Sequence, residues 1–242
     1  MILVLSACSP AATPAPTAGP VTLTIMTHDS FAVSEEVVQA FEEQNNATLV
    51  FLKSGDTGAA LNRAILTRNS PEADVFYGVD NTFLSRAIQE EIFESYTSTA
   101  LEGIPVEFTG NLAGVVTPID YGDVCINYDR AWFAARGLPV PQTLQDLSHP
   151  DYGGDEGKGL LVVENPATSS PGMAFLLATI AEFGEDGYLD FWRSLKANGV
   201  VVVNDWETAY YTNFSASSGQ GLQPMVVSYA SSPAAEVIYA SE

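Results

Sequence analysis

Polar, hydroxyl-bearing and aromatic residues are grouped at the ends of several short apolar runs. The groups are His28-Asp29-Ser30, Asp80-Asn81, residues 168–172, Asp205-Trp206 and residues 229–232. Such side chains donate and accept hydrogen bonds or stack on flat rings, which is the chemistry of a small-molecule binding site. In an open α/β sheet, ligands bind beyond the carboxyl ends of the strands, so we expect these groups to converge on one cleft.

Patterns that would indicate catalysis are weak by comparison. The sequence holds two histidines, His28 and His149, and it has neither a Gly-x-Ser-x-Gly turn nor a paired Cys and His signature for a nucleophile with its base. Gly219-Gln220-Gly221 lacks the third glycine and the strand-to-helix context of a dinucleotide-binding loop. The sequence therefore predicts a binding protein and not an enzyme, with no cofactor or metal site.

The charge balance limits the partners. Nine Lys and Arg stand against thirty Asp and Glu in 242 residues, a formal charge of −21. Nucleic acid and anionic lipid would be repelled, whereas a cationic ligand would be attracted. Solubility in a salty habitat is an alternative reason for this charge. The hydrophobic content of 46% is enough for a substantial core in one large domain or two modest lobes.

Alternating elements in the first half position the first groups. Apolar runs predict strands at 21–26, 48–52 and 73–79. Between and after them, Ser34, Asp56, and Asp80 or Asn81 are placed to cap helices. We expect Val37, Val38 and Phe41 of the first helix, and Leu61, Ile65 and Leu66 of the second, to face inward. The short connections are typical of parallel strands joined by helices.

The second half repeats the alternation. Residues 115–128 hold extended segments broken at 120–122, and strands are predicted at 160–163, 199–203 and 225–228. Helices are predicted at 173–183, around Leu189 to Leu195, after an Asp205 cap with Trp206 in the first turn, and from Ser232. An α/β class follows for the whole chain.

The first residues resemble a bacterial lipoprotein signal. A short apolar run leads into Leu5-Ser6-Ala7-Cys8, and a Pro, Ala and Thr stretch follows to residue 20. In such signals the cysteine is lipidated and the stretch after it is a flexible tether, which implies an extracytoplasmic, lipid-anchored protein. The alternative is a chance cysteine in a disordered tail. The other cysteine, Cys125, is expected to be a buried free thiol, with a partner outside this chain as the alternative.

The motifs resemble, in order, those of thiamine-binding proteins of bacterial ABC importers. The motifs are Thr27-His28-Asp29-Ser30-Phe31, Gly78-Val79-Asp80-Asn81, Ile119-Asp120-Tyr121-Gly122, residues 165–172, Asp205-Trp206-Glu207-Thr208-Ala209-Tyr210 and residues 227–233. The resemblance implies a two-lobed type II periplasmic-binding-protein fold that closes by a hinge. It divides the chain into a tether (1–20), a first lobe (21–118) and a hinge-crossing segment with the second lobe (119–242). Family members continue beyond Glu242, so we expect this chain to be truncated at both ends.

The same resemblance implies a ligand, partners and site residues. The ligand is thiamine or a thiamine phosphate, the partner is an ABC permease in the membrane, and the protein is a monomer. The implied ligand-binding residues are His28, Asp29, Ser30, Asp80, Asn81, Asp120, Tyr121, Ser169, Ser170, Gly172, Trp206, Tyr210, Tyr229, Ser231 and Ser232.

Each chemical class among these residues has an expected role. Trp206, Tyr210 and Tyr229 stack on the rings of the ligand, whereas Tyr211 and Trp192 belong to the core. The carboxylates Asp29, Asp80 and Asp120 balance the thiazolium charge, or else each caps a helix or closes a turn. The hydroxyls and backbone amides of residues 168–172 bind a phosphate at a helix N-terminus, and Ser231 and Ser232 offer a second such site.

A ferric-ion-binding protein of the same fold is the main alternative. Tyr210 and Tyr211, with His28 and nearby carboxylates, resemble the adjacent tyrosines of ferric-ion-binding relatives, and hard oxygen ligands suit ferric iron. Trp206 and the hydroxyl-rich loops favour an organic ligand over the metal. A thiamine-metabolising enzyme is a further alternative.

Overall fold

A computed structural model describes residues 19–239 except positions 111, 113, 155–158 and 218. These residues form two β-sheets with flanking helices, which confirms the predicted α/β class. The predicted lipidation site, Cys8, lies outside the described residues. In the described part of the chain, no helix is long and apolar enough to cross a membrane.

The first sheet is parallel and has the strand order β2-β1-β3. Its strands and the helices beside them are β1 (Val21–Thr27), α1 (Glu35–Asn45), β2 (Ala47–Lys53), α2 (Thr57–Leu66), β3 (Val75–Phe76) and α3 (Leu84–Gln89). Short 3-10 turns follow at Thr99–Gly103 and Val106–Phe108. The third strand is shorter than the predicted 73–79, and Gly78, two residues after its end, has a φ of 113° that glycine adopts readily.

The second sheet has the order β4-β7-β5-β6, with β4 antiparallel to β7 and the other pairs parallel. Its elements are β4 (Val124–Tyr128), α4 (Arg130–Arg136), β5 (Leu161–Glu164), α5 (Ser170–Ala197), β6 (Val201–Val203), a π-helix (Thr208–Asn213), β7 (Met225–Tyr229) and α6 (Ser232–Tyr239). Two 3-10 turns lie at Gln145–Ser148 and Pro150–Tyr152. Non-helical Gly184 interrupts α5, so the two helices predicted there are its two parts.

Side chains alternate across β5 and supply two cores. Leu161 and Val163 pack with Phe133, Phe175, Phe191 and Leu195 on one face, and Trp192 lies against this cluster as predicted. Val162 packs on the opposite face with a second cluster around the π-helix. Because successive strand residues point to opposite faces, Glu164 shares the face of Val162 and not that of Val163.

Three expectations about burial are wrong. Val37 and Phe41 are exposed because α1 lies beside β2, the edge strand, and buries no residue. Leu66 is 84% exposed, since it lies about 140° around the helix from buried Leu61 at about 100° per residue. Cys125 is an exposed thiol because it lies on edge strand β4 and points away from the core that its neighbours contact.

Candidate ligand-binding site

Asp56 connects the first half of the chain to the second. It occupies the N-cap position of α2 but makes no side-chain cap bond, contrary to the capping prediction. Its Oδ2 instead accepts the backbone N–H of Trp206 at 2.9 Å. Asp56 is buried, and this burial is the main cause that raises the pKa of its carboxyl to about 6. This contact spans 150 positions, and no local pattern in the sequence indicates it.

Two contacts hold the side chain of Trp206. Its ring stacks on Tyr210 with centroids 4.9 Å apart, and its Nε1–H donates to Ser228 Oγ at 2.8 Å. Ser228 Oγ lies 2.9 Å from Ser232 Oγ, so the indole is tied to the start of α6. Trp206 is therefore a fixed, half-buried platform at the end of the second sheet.

The two tyrosines of the π-helix differ from their expected roles. Tyr210 is 2% exposed and lies in the core beneath Trp206, so the expectation that its ring opens onto the cleft is wrong. Tyr211 is 43% exposed, so its assignment to the core is also wrong. A π-helix turns more widely than an α-helix, as the bond from Phe214 N–H to the Ala209 carbonyl shows, and this changes which side chains face inward.

The carboxyl groups of Asp80, Asp56, Glu164 and Asp120 lie near enough to the half-buried Tyr229 to act on its hydroxyl. Burial is the main cause that raises the pKa of Tyr229, and the charges of Asp80, Asp56, Glu164 and Asp120 act in the same direction. These groups come from the starts of α3 and α2, the end of β5 and the segment before β4. The structure thus brings Asp80, Asp120 and Tyr229 together, close to the Asp56–Trp206 contact.

Glu164 is a member of this group that the sequence analysis missed. It is 0% exposed, and within the described residues neither of its carboxyl oxygens has a hydrogen-bond partner. Burial raises the pKa of Glu164 to about 9, and the charges of Asp56 and Asp205 contribute. The carboxyl is therefore protonated at neutral pH. The sequence carries one signal for this residue: Glu164 is an acidic residue directly after the apolar run Leu160 to Val163.

The turn from β5 to α5 is closed and not open. Ser169 is 0% exposed and Ser170 is 6% exposed, and the Oγ atom of neither has a hydrogen-bond partner among the described residues. The Ser169 hydroxyl faces the Asp56 carboxylate and opposes the rise in its pKa, but it makes no hydrogen bond of standard geometry. Gly172 is also buried, against the carbonyl of Glu164.

Two of the predicted carboxylates have structural roles. Asp29 Oδ1 accepts the Gly55 N–H at 2.8 Å and so joins the segments that follow β1 and β2. Asp80 Oδ1 accepts the N–H groups of Thr82 and Phe83 at the start of α3. Asp120 is more open and accepts the Tyr77 hydroxyl at 2.6 Å. The helix-cap alternative therefore describes Oδ1 of Asp80.

The remaining predicted residues lie on the first half and at the rim. His28 contacts Phe31 and Tyr77, and its Nδ1 lies 2.9 Å from Ser30 Oγ. Burial has the largest influence on the pKa of His28 and lowers it. The charges of Asp120 and Asp29 act in the opposite direction. Asn81 and Ser231 are exposed. Tyr121 is 77% exposed and stacks on Phe108, with centroids 4.9 Å apart.

Comparison with known proteins places the chain in a family. Residues 70–232 match the family described as bacterial extracellular solute-binding protein. The chain belongs to this family. The resemblance drawn from its motifs is confirmed at this level.

Curated relatives and a solved structure narrow the similarity. The solute-binding protein is 30% identical to the thiamine-binding periplasmic protein of Salmonella typhimurium over 89% of this chain and 62% of that protein. It is 30% identical to the protein of the same name from Brucella suis over 90% and 61%. A solved periplasmic thiamin binding protein superposes with a TM-score of 0.73 and 26% identity, covering 96% of this chain and 69% of the other. The fold is that of type II periplasmic binding proteins, as predicted.

The geometry of this solute-binding protein does not favour the iron alternative. Tyr210 is 2% exposed and lies in the core, so its hydroxyl is not open to a metal ion beside that of Tyr211. Within the described ranges, no three His, Cys, Asp or Glu side chains are placed to hold a metal ion. Two depressions elsewhere, one containing Leu147 and Met225 and one containing His149 and Tyr152, include none of the predicted ligand residues.

The start of α5 packs so closely against the end of β5 that a side chain at Gly172 is expected to destabilise the protein. A Cβ at Gly172 would lie 2.4 Å from the Glu164 carbonyl oxygen, so Gly172→Ala is expected to lower the free energy of unfolding by about 1–3 kcal/mol. Gly187→Ala in the same helix is the control, because its Cβ would meet only Phe183 Cβ at 3.4 Å and alanine favours helix. Urea unfolding of both variants provides the measurement. Equal stability of the two would show that the turn relaxes freely.

Proposed function

We propose that this solute-binding protein captures a thiamine-type cation outside the cytoplasm and delivers it to an ABC permease. The observation that supports this best is the group of acidic side chains around Tyr229, beside the fixed ring of Trp206. Carboxylates attract a cation, and an aromatic face binds a flat or cationic ring. The names of the relatives at 30% identity agree with this chemistry.

The other parts of the proposal concern the whole protein. The chain spans 62% of the length of the Salmonella relative. Binding of the ligand and its delivery to the permease are therefore proposals about the whole protein. We propose that Cys8 carries a lipid anchor and that the protein acts as a monomer. We also propose that a hinge near residues 118 and 119 lets two lobes close on the ligand. In this proposal the protein binds its ligand and does not convert it.

The direct test is a titration of the full chain. Thiamine is expected to bind one to one and to quench tryptophan fluorescence, because Trp206 adjoins the proposed site. Calorimetry measures the same binding independently, and recovery of intact thiamine afterwards checks that it is not consumed. Ferric citrate serves as the comparison ligand. Binding of iron without binding of thiamine would reject the proposal.

A further inference from the structure

A hydrogen bond between Tyr77 and Asp120 joins the first sheet to the segment that precedes β4. Tyr77 directly follows β3, and its hydroxyl donates to Asp120 Oδ2 at 2.6 Å. The two residues are 43 positions apart, and the bond crosses the proposed boundary between the lobes at residues 118 and 119. A hydrogen bond to a carboxylate is roughly twice as strong as one between neutral groups. The first half of the chain therefore holds a carboxylate that belongs to the second.

Tyr77 is itself fixed in place. Its backbone N–H donates to the Met26 carbonyl at 2.9 Å, which continues the pairing of β3 with β1. Its ring packs edge-on against Phe31 with centroids 4.8 Å apart, and the His28 ring lies 6.0 Å away. Burial is the main cause that raises the pKa of Tyr77 to about 12, and the hydrogen bond to Asp120 and its charge act in the same direction. The hydroxyl therefore keeps its proton at neutral pH and remains a donor.

The rest of the Asp120 carboxylate remains available to a ligand. Asp120 is exposed, and among the described residues its Oδ1 has no hydrogen-bond partner. None of the ion pairs found in the described ranges includes Asp120. Its charge acts on His28 from the first half and on Tyr229 at the end of β7. A cation at the candidate site would therefore meet a carboxylate that is oriented but not neutralised.

The orientation of Asp120 depends on Tyr77 more than that of the other site carboxylates depends on any one side chain. Asp29, Asp56 and Asp80 each accept at least one backbone N–H, so the main chain fixes them. In the described part of the chain, the Tyr77 hydroxyl supplies the hydrogen bond to Asp120, and no backbone N–H does. Without that hydroxyl the exposed carboxylate would rotate, and ordering it again on binding would cost free energy.

We propose that Tyr77 is a positioning residue of the binding site, whose hydroxyl holds Asp120 Oδ2 and so leaves Oδ1 for the bound cation. The inference rests on the proposed function and adds a residue that the sequence analysis did not assign to the site. Tyr77 acts through Asp120 and needs no contact of its own with the ligand. Since the bond also ties β3 to the segment before β4, it fixes the carboxylate relative to both halves of the chain.

Calorimetric titration of Tyr77→Phe with thiamine tests this role. The variant keeps the ring and its packing, and it is expected to bind thiamine about three- to tenfold more weakly, the factor that corresponds to one net hydrogen bond. Tyr152→Phe is the matched control, because its hydroxyl donates to the Pro139 carbonyl at 3.0 Å, away from the predicted ligand residues, and it should keep the parent's affinity. The parent's Kd in Tyr77→Phe would overturn the positioning role alone. Failure of the parent to bind thiamine would instead reject the proposed function.

A double-mutant cycle with Asp120→Asn separates positioning from a general structural effect. In the Asp120→Asn background, Tyr77→Phe should change the Kd by less than about twofold, because the charge that Tyr77 positions is already gone. The same loss of affinity in both backgrounds would show that Tyr77 acts independently of Asp120, and it would overturn the proposal. A crystal structure of Tyr77→Phe provides a measurement without ligand. The Asp120 carboxylate should be rotated or present in more than one orientation there, and an unchanged single orientation would equally overturn the role.

Discussion

Trp206→Ala is expected to weaken thiamine binding by roughly tenfold to more than a hundredfold. Stacking of a base on an aromatic side chain contributes about 1–3 kcal/mol, and about 1.4 kcal/mol corresponds to a factor of ten in Kd. The loss should lie toward the upper end because Tyr210 and Ser228 hold the indole in place before ligand arrives, so little ordering cost opposes its contact. Calorimetry on the purified variant measures the change.

Two further variants separate stacking from folding. Trp206→Phe keeps an aromatic face but loses the N–H that donates to Ser228, so it should retain most of the affinity. Trp192→Phe removes a tryptophan of the second core and should leave the affinity unchanged. Ligand-dependent quenching should persist in Trp192→Phe and disappear in Trp206→Ala. A folded Trp206→Ala protein with the parent's Kd would show that the ring supports the structure without binding the ligand.

The parts of the fold that the sequence predicted well depend on local periodicity. The apolar runs at β1, β2, β5 and β7 form strands, which are buried in β5 and β7 and only partly buried in β1 and β2. Acidic groups from several segments act on Tyr229, at the end of β7. Strand ends converge because parallel strands share one edge, which is a property of the topology and not of particular partners. Asp205 is likewise a cap that the local sequence specifies.

The missed features depend on distant partners or on an unusual helix. Asp56 looks like an ordinary cap until Trp206, which is 150 positions away, supplies the N–H that it binds. The exchange of Tyr210 and Tyr211 follows from a π-helix that an α-helical period does not anticipate. Ser169 and Ser170 are buried next to the contact of α2 with Thr168, and the local sequence does not indicate that contact. Each error is one of tertiary context.

Glu164→Gln is expected to make stability much less dependent on pH. The ordinary pKa of this carboxyl is 4.5 and the folded protein raises it to about 9, mainly through burial. The folded state therefore holds a proton that the unfolded state has lost. The stabilisation from this group is complete below pH 4.5 and is lost as the pH rises through about 9. Gln has the same shape and no charge, so the variant lacks this loss.

The expected difference is large enough to measure by unfolding. One pKa unit corresponds to about 1.4 kcal/mol, so the shift represents several kcal/mol, on the order of 3–6 after allowance for relaxation around the ionised group. Parent and variant should have similar free energies of unfolding near pH 5 and diverge toward pH 9, with the parent less stable. Above pH 6 the contribution of Asp56, whose pKa is about 6, is nearly constant and does not confuse the comparison.

The control for this experiment is Glu182→Gln, an exposed substitution on α5 that should keep the pH profile of the parent. Saturating thiamine should narrow the divergence between the parent and Glu164→Gln, because a cation close to Tyr229 and Asp56 stabilises the ionised form of Glu164. Parallel curves for the parent and Glu164→Gln from pH 5 to pH 9 would mean that the carboxyl finds water or a partner when it ionises. In that case Glu164 would be ionised at neutral pH, and its charge would add to those of Asp56, Asp80 and Asp120 in attracting a cation.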